Sequence, residues 1–131
     1  MIKDRELLHA QQLAKVGAIY APTAFLIASL EELKRRCNGC GSSSSWFKPF
    51  KRILGTSILE ACIIHDYMYS TGYTNDDKEE ADRVFLNNMN RLITRDSVNW
   101  NKPTKLQRFV VRKYYLSVKY GGGESFWAGK G

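Results

Sequence analysis

Cysteine is too scarce in this chain to build its fold. Three are present, an odd number, which excludes a disulfide-rich scaffold and leaves at least one thiol without a partner inside the chain. Period-two alternation is missing as well: no stretch reads convincingly as a half-buried strand, and no segment repeats. An uninterrupted apolar run is also lacking. The most apolar segment, Leu13 to Leu30, is broken by Lys15, Gly17 and Pro22, and follows the mixed charges of Lys3, Asp4, Arg5 and Glu6. It makes a poor membrane span and a poor signal peptide, and a pair of core-packing helices is the expectation. Acidic residues are short of basic ones, 13 against 20, for a net charge of +7 and a pI near 9.4. The surplus favours an anionic partner, and charge alone leaves nucleic acid, an anionic membrane and an acidic protein open. No nucleic-acid-binding motif supports the first.

What is present suits a single helical domain, 131 residues long with 44% hydrophobic and 25% charged residues. Residues 2 to 16 read as a helix ended by Gly17. A second helix is expected from Pro22-Thr23 to Arg36, with Phe25, Leu26, Leu30 and Leu33 on one face. Residues 37 to 56 read as loop, with room for a short hairpin. A central helix follows from Ser57 to Thr71, its start marked by a Ser57/Glu60 capping box and its end by a left-handed Gly72. After a polar loop around Thr74-Asn75-Asp76, helical spacing of Ala81, Phe85, Met89 and Leu92 predicts a helix over about 77–95. Pro103-Thr104 opens a last helix to about Tyr120, and a Gly-rich tail carries Phe126 and Trp127.

Chemistry concentrates on the central helix. Cys62, His65 and Tyr69 share one face, while Asp66 is turned about 100° away. A polar pair in apolar company needs partners. Asp82 lies in the apolar stripe of Phe85, Leu86 and Met89 on the next helix, which a short loop makes an antiparallel neighbour. An aspartate bonded to one nitrogen of His65 fixes the tautomer and leaves the other nitrogen as a base. Asp82 could equally be a surface charge paired with Lys78. Asp66 needs a cation or donors. The oxygen-rich loop Asn38-Gly39-Cys40-Gly41-Ser42-Ser43 could turn backbone carbonyls toward a hard cation such as calcium, or be a plain linker.

The run Cys62-Ile-Ile-His65-Asp66-Tyr67-Met68-Tyr69 resembles the active-site helix of the secreted phospholipases A2. Gly39-Cys40-Gly41 resembles that family's calcium loop, and Ala81-Asp82-Arg83 its second catalytic helix. The likeness spans about residues 38 to 90 and is nearest to the divergent microbial and phage-borne branches. It implies an all-α fold with two antiparallel catalytic helices and calcium-dependent cleavage of the sn-2 acyl ester of glycerophospholipids. By it, His65 is the general base, Asp82 orients it and Tyr69 holds Asp82. Asp66 binds calcium with the carbonyls of Gly39, Gly41 and Ser43, and the Gly41 N–H joins the oxyanion site. A disulfide between Cys40 and Cys62 is implied too, as is an extracellular or virion-associated location. Against the family pattern, Ala61 stands where a cysteine is usual, Ser43 replaces a frequent glycine, and the segment between loop and helix is long. That segment places Trp46, Phe47 and Phe50 among Lys48, Lys51 and Arg52, an expected docking patch for an anionic phospholipid surface.

Two other readings use the same residues. Cys37, Cys40, Cys62 and His65 have spacings acceptable for structural zinc, which would account for all three cysteines and leave Asp66, Tyr69 and Asp82 idle. A non-enzymatic phospholipase-like module within a larger protein assembly is the other.

Overall fold

The computed structural model describes residues 2–37, 52–53, 55–100 and 104–130. In chain order these form α1 (Asp4–Lys15), α2 (Thr23–Ile27), α3 (Leu30–Arg36), β1 (Arg52–Ile53), β2 (Thr56–Ser57), α4 (Leu59–Thr71), α5 (Asn75–Trp100), α6 (Thr104–Gly121) and α7 (Gly123–Trp127). The described residues are thus mostly helical, as expected of an all-α chain, with one two-stranded antiparallel hairpin pairing Arg52 with Ser57 and Ile53 with Thr56.

α4 is the hub. Ala61, Cys62, Ile63, Ile64 and His65 are consecutive and all buried, so this helix is covered on every side. α1, α3, α5 and α7 pack around it, and α6 closes over α5. The core joins Leu7, Phe25 and Leu33 to Ile63, Ile64, Phe85, Met89, Ile93 and Val118. No helix among the described residues is long and apolar enough to cross a membrane.

Polar side chains seated in this core hold the irregular segments. The Gln11 amide nitrogen lies 3.0, 3.3 and 2.9 Å from the carbonyls of Phe25, Leu26 and Ala28, supplying a donor to the carbonyl cluster at the end of α2. The Asn88 amide exchanges two bonds of 2.8 Å with the Tyr20 backbone and pins the α1–α2 connection to α5. Gln107 on α6 donates to the Ile53 carbonyl and the Thr56 hydroxyl, at 3.2 and 2.9 Å, and so fixes the hairpin.

Several helix ends differ from the sequence expectation. The single helix over 22–36 is divided: Ala28 and Ser29 are extended, and the Ser29 hydroxyl accepts the Glu32 N–H at 3.1 Å to start α3 afresh. Ser57 does not cap α4 in a box with Glu60. It is held in β2, the helix begins two residues later, and Glu60 turns to His9 at 3.0 Å. α5 begins earlier than predicted because Thr74 and Asp77 cap it reciprocally. Asp77 accepts the Tyr73 and Thr74 N–H groups at 2.8 and 3.1 Å, and Thr74 accepts the Asp77 N–H at 3.0 Å. The tail around Phe126 is helical, and Phe126 is wholly buried.

Gly72 is the most instructive departure. Its φ of −81° and ψ of 157° are extended, not left-handed. Glycine is required there by space: an added Cβ would lie 2.9 Å from Asp77 Cβ, 3.0 Å from Phe126 and 3.1 Å from the Met68 carbonyl. Gly72→Ala is therefore expected to cost about 1–3 kcal/mol through overpacking at the α4–α5 turn. A urea midpoint that stays level or rises would sink this account.

Candidate functional site

α4 and α5 form a helical hairpin whose facing stripes meet at Asp82. His65 Nε2 lies 2.9 Å from Asp82 Oδ1, and the Tyr69 hydroxyl donates to the same oxygen at 2.7 Å. His65 and Tyr69, four residues apart, present to Asp82 from the same side of α4. The second carboxylate oxygen, Oδ2, accepts Lys78 Nζ at 2.8 Å, and that ammonium also reaches the carbonyls of Val118 and Lys119 at 3.0 and 3.3 Å. Lys78 thus does two things at once: it supplies the carboxylate's countercharge and occupies carbonyls in the last turn of α6. A cleft of about 510 Å3 between α5, α6 and α7, bordered by Tyr115, Tyr120 and Trp127, reaches Lys78 and Asp82.

The network is sealed by rings. His65 is 0% exposed and Asp82 2%. The imidazole makes tilted ring contacts with Tyr69 and Phe85, at centroid distances of 4.1 and 4.6 Å, and Phe126 meets Tyr69 edge-on at 5.1 Å. Gly122 leaves space for the Tyr69 hydroxyl, since a Cβ there would lie 2.6 Å from that oxygen and 2.5 Å from the Val118 carbonyl.

Burial decides the charge states. It pushes the His65 pKa down, and Asp82 only partly offsets this, so the ring is neutral at neutral pH. Burial also opposes ionisation of Asp82, but hydrogen bonds from His65, Lys78 and Tyr69 outweigh it and hold the carboxyl below its usual range. An ionised carboxylate only accepts, so Nε2 carries the imidazole proton and Nδ1 the lone pair. Tyr69 is kept protonated, its pKa raised by burial and then by Asp82.

The remaining expected site residues fall into two groups. Asp66 is half-buried, and its negative charge, after burial, helps push up the pKa of the Cys37 thiol, which stands at the entrance to segment 38–51. Gly39, Cys40, Gly41 and Ser43 of the expected calcium loop, with Trp46, Phe47, Lys48, Phe50 and Lys51 of the expected docking patch, lie outside the described residues. Arg52 is exposed and donates to the Gly55 carbonyl at 2.9 Å. Of the two cysteines of the expected disulfide, Cys40 lies outside the described residues, and Cys62 is a free thiol, 1% exposed, serving the core as a small apolar side chain. Cys37 is likewise a buried free thiol. Among the described residues no group of three or more His, Cys, Asp or Glu side chains is placed to share a metal ion.

Sequence reasoning named His65, Tyr69 and Asp82, and set Lys78 aside as the partner of a surface charge. The ion pair is present, but it is buried: the Lys78 side chain is 12% exposed and Asp82's is 3%. Phe126 and Gly122 were not expected at the site. Neither carries a local signal, because both reach Tyr69 only through the packing of α6 and α7.

A family model described as a protein of unknown function (DUF1353) matches residues 45–101, which include His65, Tyr69, Lys78 and Asp82. No curated protein and no solved structure matches the chain.

Two outcomes follow from this electrostatic arrangement. The folded pKa values of His65 and Asp82 lie below their ordinary 6.5 and 3.8, so the unfolded chain binds more protons. Stability from His65 is whole above pH 6.5 and is lost as the pH falls below it toward the folded pKa; that from Asp82 follows below 3.8. Urea midpoints should fall between pH 8 and pH 5 in the wild type, and His65→Gln should flatten most of that slope. An equal slope in both proteins would contradict it. Lys78→Met strands a buried carboxylate and should cost about 3 kcal/mol. Because Lys78 lowers the His65 pKa, the substitution should also raise it, as read from imidazole proton shifts. An unmoved titration would exclude the coupling.

Proposed function

We propose that the chain is a calcium-dependent esterase that cleaves the sn-2 acyl chain of glycerophospholipids, on a phospholipase A2-like pair of catalytic helices. One observation carries this reading: the neutral imidazole of His65 is fixed through Nε2 by an ionised, tyrosine-braced Asp82. That arrangement prepares Nδ1 to accept a proton. In the reaction, Nδ1 takes a proton from water as the water oxygen bonds to the ester carbonyl carbon. The imidazolium so formed is stabilised by Asp82, and it returns the proton to the departing glycerol oxygen as the acyl bond breaks. Water is consumed, and a fatty acid and a lysophospholipid are released.

The residues present fit calcium. Asp66 offers a hard carboxylate within electrostatic reach of Cys37, after which the oxygen-rich 38–43 segment begins in the sequence, and the carbonyls of Gly39, Gly41 and Ser43 would complete the oxygen set. Bound calcium would supply Lewis-acid stabilisation of charge on the ester oxygen, and the Gly41 N–H would donate a hydrogen bond to the same oxygen. Lys78 Nζ keeps its hydrogen bond to Asp82 Oδ2 in this scheme and takes no part in the proton transfer.

A second reading is favoured by the complete burial of His65. In it, the His65–Asp82–Lys78 network only ties α4, α5 and α6 together in a non-enzymatic module. Fatty-acid release from anionic phospholipid vesicles separates the two. The expectation is activity with calcium, none with chelator, and a loss of about 10²–10⁴-fold in His65→Gln. Activity that survives His65→Gln would refute the mechanism, and an inactive wild type with calcium present would favour the module.

A further inference from the structure

α6 has its polarity arranged against the usual rule for a surface helix. Its inner face carries Gln107, Val111 and Val118, all buried. At 100° per residue, Phe109, Leu116 and Tyr120 fall within about 40° of one another, and about 180° from the centre of that buried face. The pole that should be most polar is therefore apolar. Phe109 is 58% exposed and Tyr120 77%, and Leu106, near the stripe's edge, is 53% exposed. Cations flank this stripe: Lys105 and Arg112 on one side, Lys113 on the other, with Arg108 and Lys119 beyond, all exposed. α6 contains no Asp or Glu. Three of them have neutral partners. Arg108 donates to Asn90 and Thr94, at 3.2 and 2.8 Å, Lys113 lies over the Phe109 ring at 5.3 Å, and Lys119 lies over the Tyr120 ring at 5.5 Å.

We propose that the outer face of α6 is a docking surface for an anionic lipid bilayer. A lipid interface is the partner that takes both halves of this face. Its acyl boundary receives Phe109, Leu116 and Tyr120, while lysine and arginine stems reach back to the headgroups. A nucleic-acid backbone would neutralise the cations and leave the apolar stripe in water. A second copy of α6 would oppose cations to cations with no carboxylate on either helix. An acidic protein groove would need to enclose the helix, and its buried face is already committed to α5 and the hairpin. A planar surface needs only the half that is free. The face shares no residue with the 46–52 segment of the sequence, and the proposal does not depend on ester hydrolysis.

The test is co-flotation of the full chain, in chelator, with ether-linked vesicles that no esterase can cleave. Binding is expected to vesicles containing phosphatidylglycerol and not to phosphatidylcholine alone. Each cation near an anionic leaflet contributes about fivefold to partitioning. Arg112→Glu with Lys113→Glu should therefore lower binding at least tenfold, and Phe109→Ser alone should lower it several-fold. Arg5→Glu with Lys15→Glu makes the same charge change on α1 and should cost under threefold. Circular dichroism confirms that each variant is folded. Equal losses from the α1 and α6 pairs would overturn the proposal, since they would mean net charge alone. So would Phe109→Ser binding like the wild type, or a DNA duplex bound more tightly than the vesicles.

Discussion

A single ionised carboxylate, that of Asp82, sets the conditions under which the rest of the molecule is arranged. A buried charge is tolerated only where donors and a countercharge replace its water. Tyr69 and His65 supply donors on one oxygen, and Lys78 supplies a donor and the positive charge on the other. The neutral imidazole cannot balance the charge, so Lys78 is as necessary to the pair as either partner. Because Lys78 also reaches the last turn of α6, the electrostatic centre ties three helices together.

The packing around α4 explains how His65 and Tyr69 are buried. An all-round apolar helix must be wrapped, and α1, α3, α5 and α7 do so. Two glycines let backbone approach where a side chain would intrude, Gly72 under Phe126 and Gly122 behind the Tyr69 hydroxyl. Burial then depresses the His65 pKa, and the Asp82 bond fixes its tautomer. A base that is neutral, oriented and shielded suits proton transfer, and the same features suit a structural tie. The two readings differ in what meets Nδ1, which is why the proposed chemistry is carried by the tautomer and not by burial.

The charge of the chain is unevenly spent. Three cations on α3 and α5 are paired with acids: Lys78 with Asp82, Arg83 with Glu80, Arg36 with Glu32. On α6, which has no acid of its own, they flank an exposed apolar stripe. The net +7 is therefore less informative than its placement, because a cationic helix with an apolar pole presents a different surface from a diffuse basic one.

The linear order by itself determined the class and the heart of the site. Helical spacing placed Ala81, Phe85, Met89 and Leu92 in the core, and the i, i+4 relation of His65 and Tyr69, with a short connection to the next helix, was enough to bring both near Asp82. These are local relations, fixed by the helix repeat. Helix ends were less legible. A capping signal at Ser57 lost to strand pairing with Arg52, while equally local signals at Ser29 and Thr74 went unread. Only the tertiary structure decided that Lys78 is buried, that Phe126 covers Tyr69, that Gly72 serves close approach and not handedness, and that Cys62 is a core residue with a free thiol. Each of those depends on chain segments brought together by packing, from α6, α7 and the hairpin. No periodicity within one helix encodes a neighbour supplied by another.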